Sequence, residues 1–509
     1  MAAARPRDGR PAGSSPDAPL VGPHGRPHGH GAVGRADGAA PRPDVRPAVS
    51  AAPFRRVAVL DVGKTNVKLV VVDAAEGGEV WSRSVPNRVR TDDRYPHADI
   101  GTIDAFLVDA LADAAAAVGV DAISIATHGA TGALVGADGL ALPVLDYEHD
   151  GPNAVADDYE RSRPAFDETF SPRLPGGLNL GAQLFWQARA FPDAVARASA
   201  FLTYPQYWAW RLTGVAATEA TSLGCHTDLW APGLGTFSSL VGRMGWGGLM
   251  APVRSAFDVL GPLRPAVASR VGLRSAVPVC CGVHDSNASL LPHIQHRTGP
   301  QAIVSTGTWV VAFAVGGALH RLDASRDMLA NVDAHGRPVP SARFMGGREF
   351  DRLTEGRAEV PDAACVASVL ERRVMAWPGF APGSGPFPVA AGRWSTDPAS
   401  LSAPERTAAA SLYAALMTAT CLDLLGAAGS TTVEGPFARN ALFLDALARL
   451  TDRPVLVSPG ATGTSSGAAG LFAGPGKHEP YPATLVDRRS FSDASFSDYA
   501  ARWRERAGS

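Results

Sequence analysis

The sequence predicts an α/β protein of two domains, and three observations carry the prediction. The chain has 509 residues, too many for one hydrophobic core. Short runs rich in β-branched residues are interleaved with Ala/Leu-rich stretches of helical length. A unit of strand, polar glycine turn and strand occurs twice, at 57–73 and at 302–313, once in each predicted domain. That spacing is far too long for a solenoid repeat. Two similar halves closing on one ligand from opposite sides account for it.

Composition narrows the function classes. Apolar residues make up 46% and charged residues 19%, as in an ordinary globular chain. A formal net charge of -2 gives no global electrostatic case for nucleic acid or a membrane surface. No apolar run reaches the roughly 18–20 residues that a membrane span needs. A small-molecule substrate is therefore expected, with no nucleic-acid or membrane partner. The five cysteines, Cys225, Cys280, Cys281, Cys365 and Cys421, are odd in number and form no C-x-x-C pair. They fit neither a disulfide framework nor a zinc site, and a reducing cytoplasm is the simplest compartment.

Taken in order, residues 1–53 are Ala, Gly, Pro, Arg and His with almost no large apolar side chain, which predicts a disordered extension without a secretory h-region. The folded chain opens with VAVLDVGKTNVKLVVVD, two apolar strands around the turn 61–66. Gly63 permits a tight reversal that leaves amides pointing outward, and Lys64, Thr65 and Asn66 add a cation and hydrogen-bonding groups. By themselves these residues fit a phosphate-holding turn and an ordinary hairpin equally well. Gly63-Lys64-Thr65 also mimics the tail of a P-loop, but the leading glycine of that pattern would fall at Ala58, and a strand rather than a helix follows. A third strand at 80–85 and a helix at 102–118 come next. A buried strand at 121–127 then delivers His128 to a loop, where ligands gather in open α/β sheets, although a hydrogen-bonded structural His fits as well. After a turn at 136–139, a short strand ends in the cluster Asp146-Tyr147-Glu148-His149-Asp150, suited to hydroxyl binding. A helix begins near Asn179, FLTYPQYWAWRLT reads as an aromatic helix over 201–213, 218–222 as a polar loop, and 261–272 as a connector.

A domain boundary is placed just before the strand AVPVCCG at 276–282. This gives domains over 54–272 and 273–480 and a C-terminal tail over 481–509. Asp285 follows, at the end of a strand and the start of a helix, where capping alone would also explain it. The second hairpin presents Thr306, Gly307 and Thr308. Gly346-Gly347 with Arg348-Glu349 reads as a glycine turn. A long helix is predicted over 406–425, then strand, glycine turn and helix around Gly435 and Asn440, a strand near 455, and a small-residue helix beyond Gly463. Gly435 and Gly463 would let backbone approach a flat ligand closely.

These residues resemble the FGGY family of carbohydrate kinases, of the sugar-kinase/actin/Hsp70-like superfamily. DVGKTNVKL is similar to its first phosphate motif, VPVCCGVHDSNASL to the motif carrying the catalytic Asp, VSTGTW to its second phosphate motif, and VEGPFARNALFLDALARLTDRPV to its adenosine motif. The four stand in the family's order and span about 54–475. The resemblance implies two ribonuclease-H-like (actin-like ATPase) domains around a central cleft, with ATP and Mg²⁺ as cofactors and a sugar as substrate. It implies Asp285 as general base, Asp61 meeting the metal through water, and phosphates held by Gly63, Lys64, Thr65, Asn66, Thr306, Gly307 and Thr308. Gly435, Asn440 and Gly463 would line the adenosine, and His128, Asp146, Tyr147 and Glu148 would bind the sugar beside Asp285. The sequence departs from the family at Pro436, at His128 and in the stretch 146–150, which bears on the sugar rather than on phosphoryl transfer. A rhamnulokinase- or fuculokinase-like branch is the preferred reading; xylulose, a short ketose or a polyol is the alternative, and a non-catalytic ATP-binding protein of the same superfamily is the rival from another class. A homodimer is left open.

Overall fold

The computed structural model describes residues 54–76, 78–273, 276–295, 299–458, 463–474, 483–487 and 493–507. The extension expected over 1–53 lies outside the described residues.

Two mixed sheets organise the chain. The first runs, edge to edge, Val259–Pro262, Pro278–Cys280, Ala122–Thr127, Arg56–Val62, Asn66–Asp73 and Gly78–Pro86, with Val283–His284 also paired to Ala122–Thr127. The second runs Met328–Val332, Pro338–Phe344, Val310–Val315, Gln301–Thr306, Thr431–Glu434, Val455–Val457 and Thr484–Leu485. In each, an antiparallel hairpin gains a third antiparallel strand on one side and a parallel strand on the other. The repeated hairpin seen in the sequence is thus the visible part of a repeated ribonuclease-H-like sheet.

The opening hairpin is apolar on consecutive residues because both its faces are covered. Ala58, Leu60, Leu69 and Val71 pack on one side with the helices Ile100–Ala117 and Tyr204–Thr213. Val57, Val59, Val70 and Val72 pack on the other with Ala288, Leu291, Ala468 and Ala469. Each such side chain contributes about 1.5–3 kcal/mol by leaving water. The second sheet is covered by Ala403–Leu425, the one described helix long and apolar enough to cross a membrane. Its apolar surface is core surface, since most of it is buried. Ser402 and Glu405 close a capping box at its start and Gly426, in the left-handed region, ends it.

Several expectations need correction. The strands Pro278–Cys280 and Val283–His284, expected to open the second domain, pair parallel with Ala122–Thr127 and complete the first sheet. The chain therefore crosses between the sheets after His284, on the helix Asp285–Gln295. The aromatic stretch at 201 begins as the strand Ala200–Thr203, and the helix starts only at Tyr204, because Pro205 has no N–H to donate and belongs in a first turn. The supposed loop at 218–222 is a strand, Thr218–Glu219, and a helical turn, Ala220–Leu223, capped by the Glu219 carboxylate. The supposed connector at 261–272 holds the end of an edge strand and the helix Pro265–Val271. The glycine turn near 346 is the start of the helix Gly346–Thr354. The short strand expected near 145 is reduced to a single bridge between His97 and Leu145. The C-terminal tail carries the helix Asp493–Ala507, docked by Phe496, Tyr499 and Trp503 on one face, with the Trp503 indole N–H donating to the Ala376 carbonyl at 2.7 Å.

Candidate functional site

The two hairpin turns are each closed by the N–H of their glycine, the first over four residues and the second over three. The Gly63 N–H donates to the Asn66 carbonyl at 2.9 Å, and the Gly307 N–H to the Trp309 carbonyl at 2.8 Å. Asn87 braces the first turn, its side-chain amide donating to the Gly63 carbonyl at 2.8 Å and its N–H to the Thr65 carbonyl at 2.9 Å. Among the described residues, the amides of Lys64, Thr65 and Thr308 donate to nothing. Free amides on a fixed turn form a concavity suited to an anion.

Thr306, expected to offer its hydroxyl to a phosphate, spends it inside the protein. The hydroxyl donates to the Glu434 carbonyl and accepts the Phe437 N–H at 3.1 Å. It ties the second turn to the loop around Gly435. That glycine has φ +82°, and a Cβ there would lie 1.9 Å from the Thr306 carbonyl oxygen. Its missing side chain admits the Thr306 carbonyl.

A cavity of about 780 Å³ opens beside the second turn, lined by Gly307, Thr308, Phe350, Val366, Phe437 and Asn440 among others. Its size and apolar walls are those of a small-molecule site. Asn440 borders it but is occupied: its carbonyl oxygen caps the helix Ala441–Thr451 through the Phe443 N–H at 3.0 Å, and its NH₂ donates to Ser411 Oγ at 2.9 Å. Gly463 is not among the lining residues; it begins the helix Gly463–Gly470 and faces Ser289 on the helix that carries Asp285. Of the charged pair left unexplained by the sequence, Glu349 is buried and accepts from the Ala381 N–H at 2.9 Å and the Tyr413 hydroxyl at 3.0 Å. Arg348 is exposed beside the cavity wall.

A smaller cavity of about 180 Å³ lies between the sheets, with His128, Tyr147, Cys225 and His284 on one side and Asn331 and Arg343 on the other. Val311, Phe313 and Leu329 supply an apolar wall. Asn331 is buried, donates to Ser341 Oγ at 2.8 Å, and leaves its carbonyl oxygen without a partner among the described residues. A buried acceptor without a donor is costly unless a ligand supplies one. His128 is fixed by the Gly129 carbonyl at 3.0 Å and by the Tyr147 and Tyr204 rings, and burial holds its pKa below the usual value, so it faces the cavity neutral.

Asp285 is the first residue of its helix. Two donors converge on its Oδ1, the Ser286 N–H at 2.6 Å and the Ser286 hydroxyl at 3.3 Å, and His284 Nε2 lies in ion-pair contact with the same oxygen at 3.2 Å. Asp61 stands near the end of the first strand. Burial first, then the charge of Asp285, push its carboxyl up to about 6, against the opposing effect of Lys68. Lys64 departs from expectation. Its ammonium binds the Asp146 carboxylate, lies 3.3 Å from Glu148 and sits 4.5 Å over the Tyr147 ring. The ammonium thus joins the cluster at 146–148, where the Asp146 carboxylate, largely shielded from water, requires a cation.

Sequence reasoning missed Glu219, Thr221, Cys225, His284 and Asn331. Glu219 and Thr221 are buried groups in the stretch 218–222 that reads as an ordinary polar loop, and Cys225 lies just beyond it. Asn331 comes from the far sheet, with no local signal at all. Glu219 is fully enclosed, and burial pushes its pKa up to about 7 despite hydrogen bonds from Thr221 and Ser222. Among the described residues no group of three or more His, Cys, Asp or Glu could hold a metal ion by itself.

Residues 298–480 match the family described as carbohydrate kinase FGGY, C-terminal domain. Similar solved structures include a carbohydrate kinase from Novosphingobium aromaticivorans, 37% identical with a TM-score of 0.82, over 90% of this chain and 99% of that one. Others are a ligand-bound xylulose kinase from Lactobacillus acidophilus (15% identical, TM-score 0.72, 88% and 97% covered) and a Plasmodium falciparum glycerol kinase with ADP (11%, 0.71, 89% and 97%). The last two share the fold alone. No curated protein is similar at a significant level.

Proposed function

The chain belongs to the FGGY family of carbohydrate kinases, and from that premise we propose how its own residues move the γ-phosphoryl group of ATP to a sugar hydroxyl. Family membership sets the non-catalytic alternative aside. The observation that carries the proposal is Asp285. It is a carboxylate on a helix start, gripped on one oxygen, with both neighbours lining the smaller cavity and with Asp61 close enough to feel its charge.

In this reading the larger cavity takes the adenosine, and the free amides at Lys64, Thr65 and Thr308 hold phosphates. Asn66, Gly63 and Gly307 shape the turns. The smaller cavity takes the sugar. Asp285 accepts the acceptor hydroxyl's proton as its oxygen bonds to the γ-phosphorus; the bond from that phosphorus to the bridging oxygen breaks and ADP leaves. The two domains of the proposal, built on the two sheets, meet at the helix Asp285–Gln295 and close around this site, excluding water.

Mg²⁺ fits the residues present. Asp61 is held above its usual range by burial and by a second carboxylate, a situation a cation relieves, and the lack of a protein ligand cage suits an ion carried mainly by phosphates and water. Asp61 would meet it through a water. When bound, the ion neutralises charge on the phosphate oxygens.

The substrate favoured is a deoxy-ketohexose such as rhamnulose or fuculose. Polar groups at His128, Tyr147, Asn331 and the Lys64–Asp146 pair face hydroxyls, while Val311, Phe313 and Leu329 suit a methyl in place of one. Xylulose, a short ketose or a polyol is the alternative. A screen of these sugars for ADP release tests the reading: rhamnulose or fuculose is expected to give the highest kcat/KM, and a preference for xylulose or glycerol overturns the choice of branch.

A further inference from the structure

The helix start at Asp285 is reached through a residue the mechanism has not used. His284 is buried, and its backbone N–H donates to Thr221 Oγ1 at 3.0 Å. The Thr221 hydroxyl donates in turn to Glu219, the enclosed carboxylate that caps the turn Ala220–Leu223. The ring is fixed on three sides. Its Nδ1 lies 3.0 Å from Asn287 Nδ2, its Nε2 lies 3.2 Å from Asp285 Oδ1, and Gly129 closes over it so tightly that a Cβ would come within 2.8 Å of Nε2.

The proton on Nε2 follows from these neighbours. With the Asn287 NH₂ facing Nδ1, that nitrogen must accept, so the proton sits on Nε2. With the Asn287 amide turned over, which would give its otherwise unpartnered carbonyl oxygen a donor, Nδ1 carries a proton. A bare Nε2 lone pair would then face a carboxylate oxygen at 3.2 Å, so the ring is doubly protonated. Either way Nε2 carries a proton and lies in ion-pair contact with Asp285, at 3.2 Å. Although burial opposes the charge, Cys225, Asp285 and Glu219 favour the protonated ring, which agrees with this assignment.

Both Ser286 donors and the His284 ring meet Asp285 at Oδ1. Oδ2 receives no described donor. We propose that His284 is a positioning residue that pins Oδ1 of Asp285 from beneath and so presents Oδ2 to the acceptor hydroxyl. Thr221 and Glu219 hold His284 at the height this requires. Phosphoryl transfer depends mostly on alignment, so a carboxylate free to rotate loses rate without losing substrate.

This inference rests on the kinase reading of Asp285. The test compares wild type, His284→Ala and His284→Gln in coupled ADP-release assays, using whichever of rhamnulose, fuculose, xylulose or glycerol the wild-type enzyme phosphorylates. Gln keeps an N–H donor near the place of Nε2. The expected result for His284→Ala is a fall in kcat of roughly ten- to a hundredfold, part of what a placed general base supplies. KM for sugar and for ATP stays within about threefold, and His284→Gln recovers most of the lost rate. A melt of each variant sets the assay temperature well below unfolding. An unchanged kcat in folded His284→Ala, a loss carried by the sugar KM, or no recovery in folded His284→Gln overturns the proposal. If the Ala variant does not fold, the Gln variant decides: near-wild-type kcat supports it and a tenfold loss overturns it. Absence of sugar-dependent ADP release in wild type instead overturns the kinase reading of these substrates, a separate outcome.

Discussion

Replacing Asp61 with Asn is expected to make the ligand-free protein more stable and the enzyme worse. The Asp61 carboxyl is raised from 3.8 to about 6, chiefly by burial and then by Asp285. Its folded form therefore holds a proton more tightly than its unfolded form. That contribution to stability is full below about pH 4 and is lost as the pH climbs through 6; above 6 the folded state carries an ionised, poorly solvated carboxylate. A difference of roughly 2 units corresponds to about 3 kcal/mol at most. An amide of the same shape removes the penalty, so Asp61→Asn should raise Tm at pH 8 by several degrees and by only about a third as much at pH 4.5. The outer-sphere role proposed for Asp61 predicts a loss of about 10- to 100-fold in activity or Mg²⁺ affinity for the same variant. Paired thermal melts at the two pH values, without nucleotide, provide the assay. A variant less stable than wild type at pH 8, or equally stabilised at both pH values, would refute the electrostatic account of the cleft.

Two further substitutions separate the nucleotide side from the sugar side. Lys64→Ala removes the cation from the shielded Asp146 carboxylate, a loss of about 1.5–3 kcal/mol for a charged hydrogen bond. KM for the sugar should rise about tenfold or more with KM for ATP nearly unchanged; the reverse pattern would return Lys64 to the phosphates. Gly435→Ala forces a Cβ to 1.9 Å from the Thr306 carbonyl at a positive φ, a strain of roughly 1–3 kcal/mol or more. A lower Tm together with a higher KM for ATP is expected, and wild-type values for both would show that the Thr306–Gly435 contact does not hold the nucleotide loop.

What the sequence disclosed and what it hid divide along physical lines. The hairpins at 57–73 and 302–313 were legible because strand residues buried on both faces leave continuous β-branched runs, and a turn needing free amides leaves a glycine between polar residues. The place of Asp285 between a strand and a helix was legible, but that place fits capping as well, and the role expected of it came from the family resemblance. The pairing of Pro278–Cys280 with the first sheet was not legible, since a parallel strand carries no mark of its neighbour. The contact of the Lys64 ammonium with Asp146 was not legible, since its partner lies 82 residues away. That Gly435 makes room for Thr306 is visible only in the packed structure. Thr306 and Asn440 bear the right chemistry for a ligand but donate it to the fold.

The central claim is that Asp285 takes the proton of a sugar hydroxyl. Its most direct measurement is sugar-dependent ADP release by Asp285→Asn beside ATP binding by the same protein. The account predicts turnover reduced by about 10²- to 10⁴-fold, the share a placed general base provides, with ATP affinity within a few fold of wild type. Near-wild-type turnover in Asp285→Asn would contradict it.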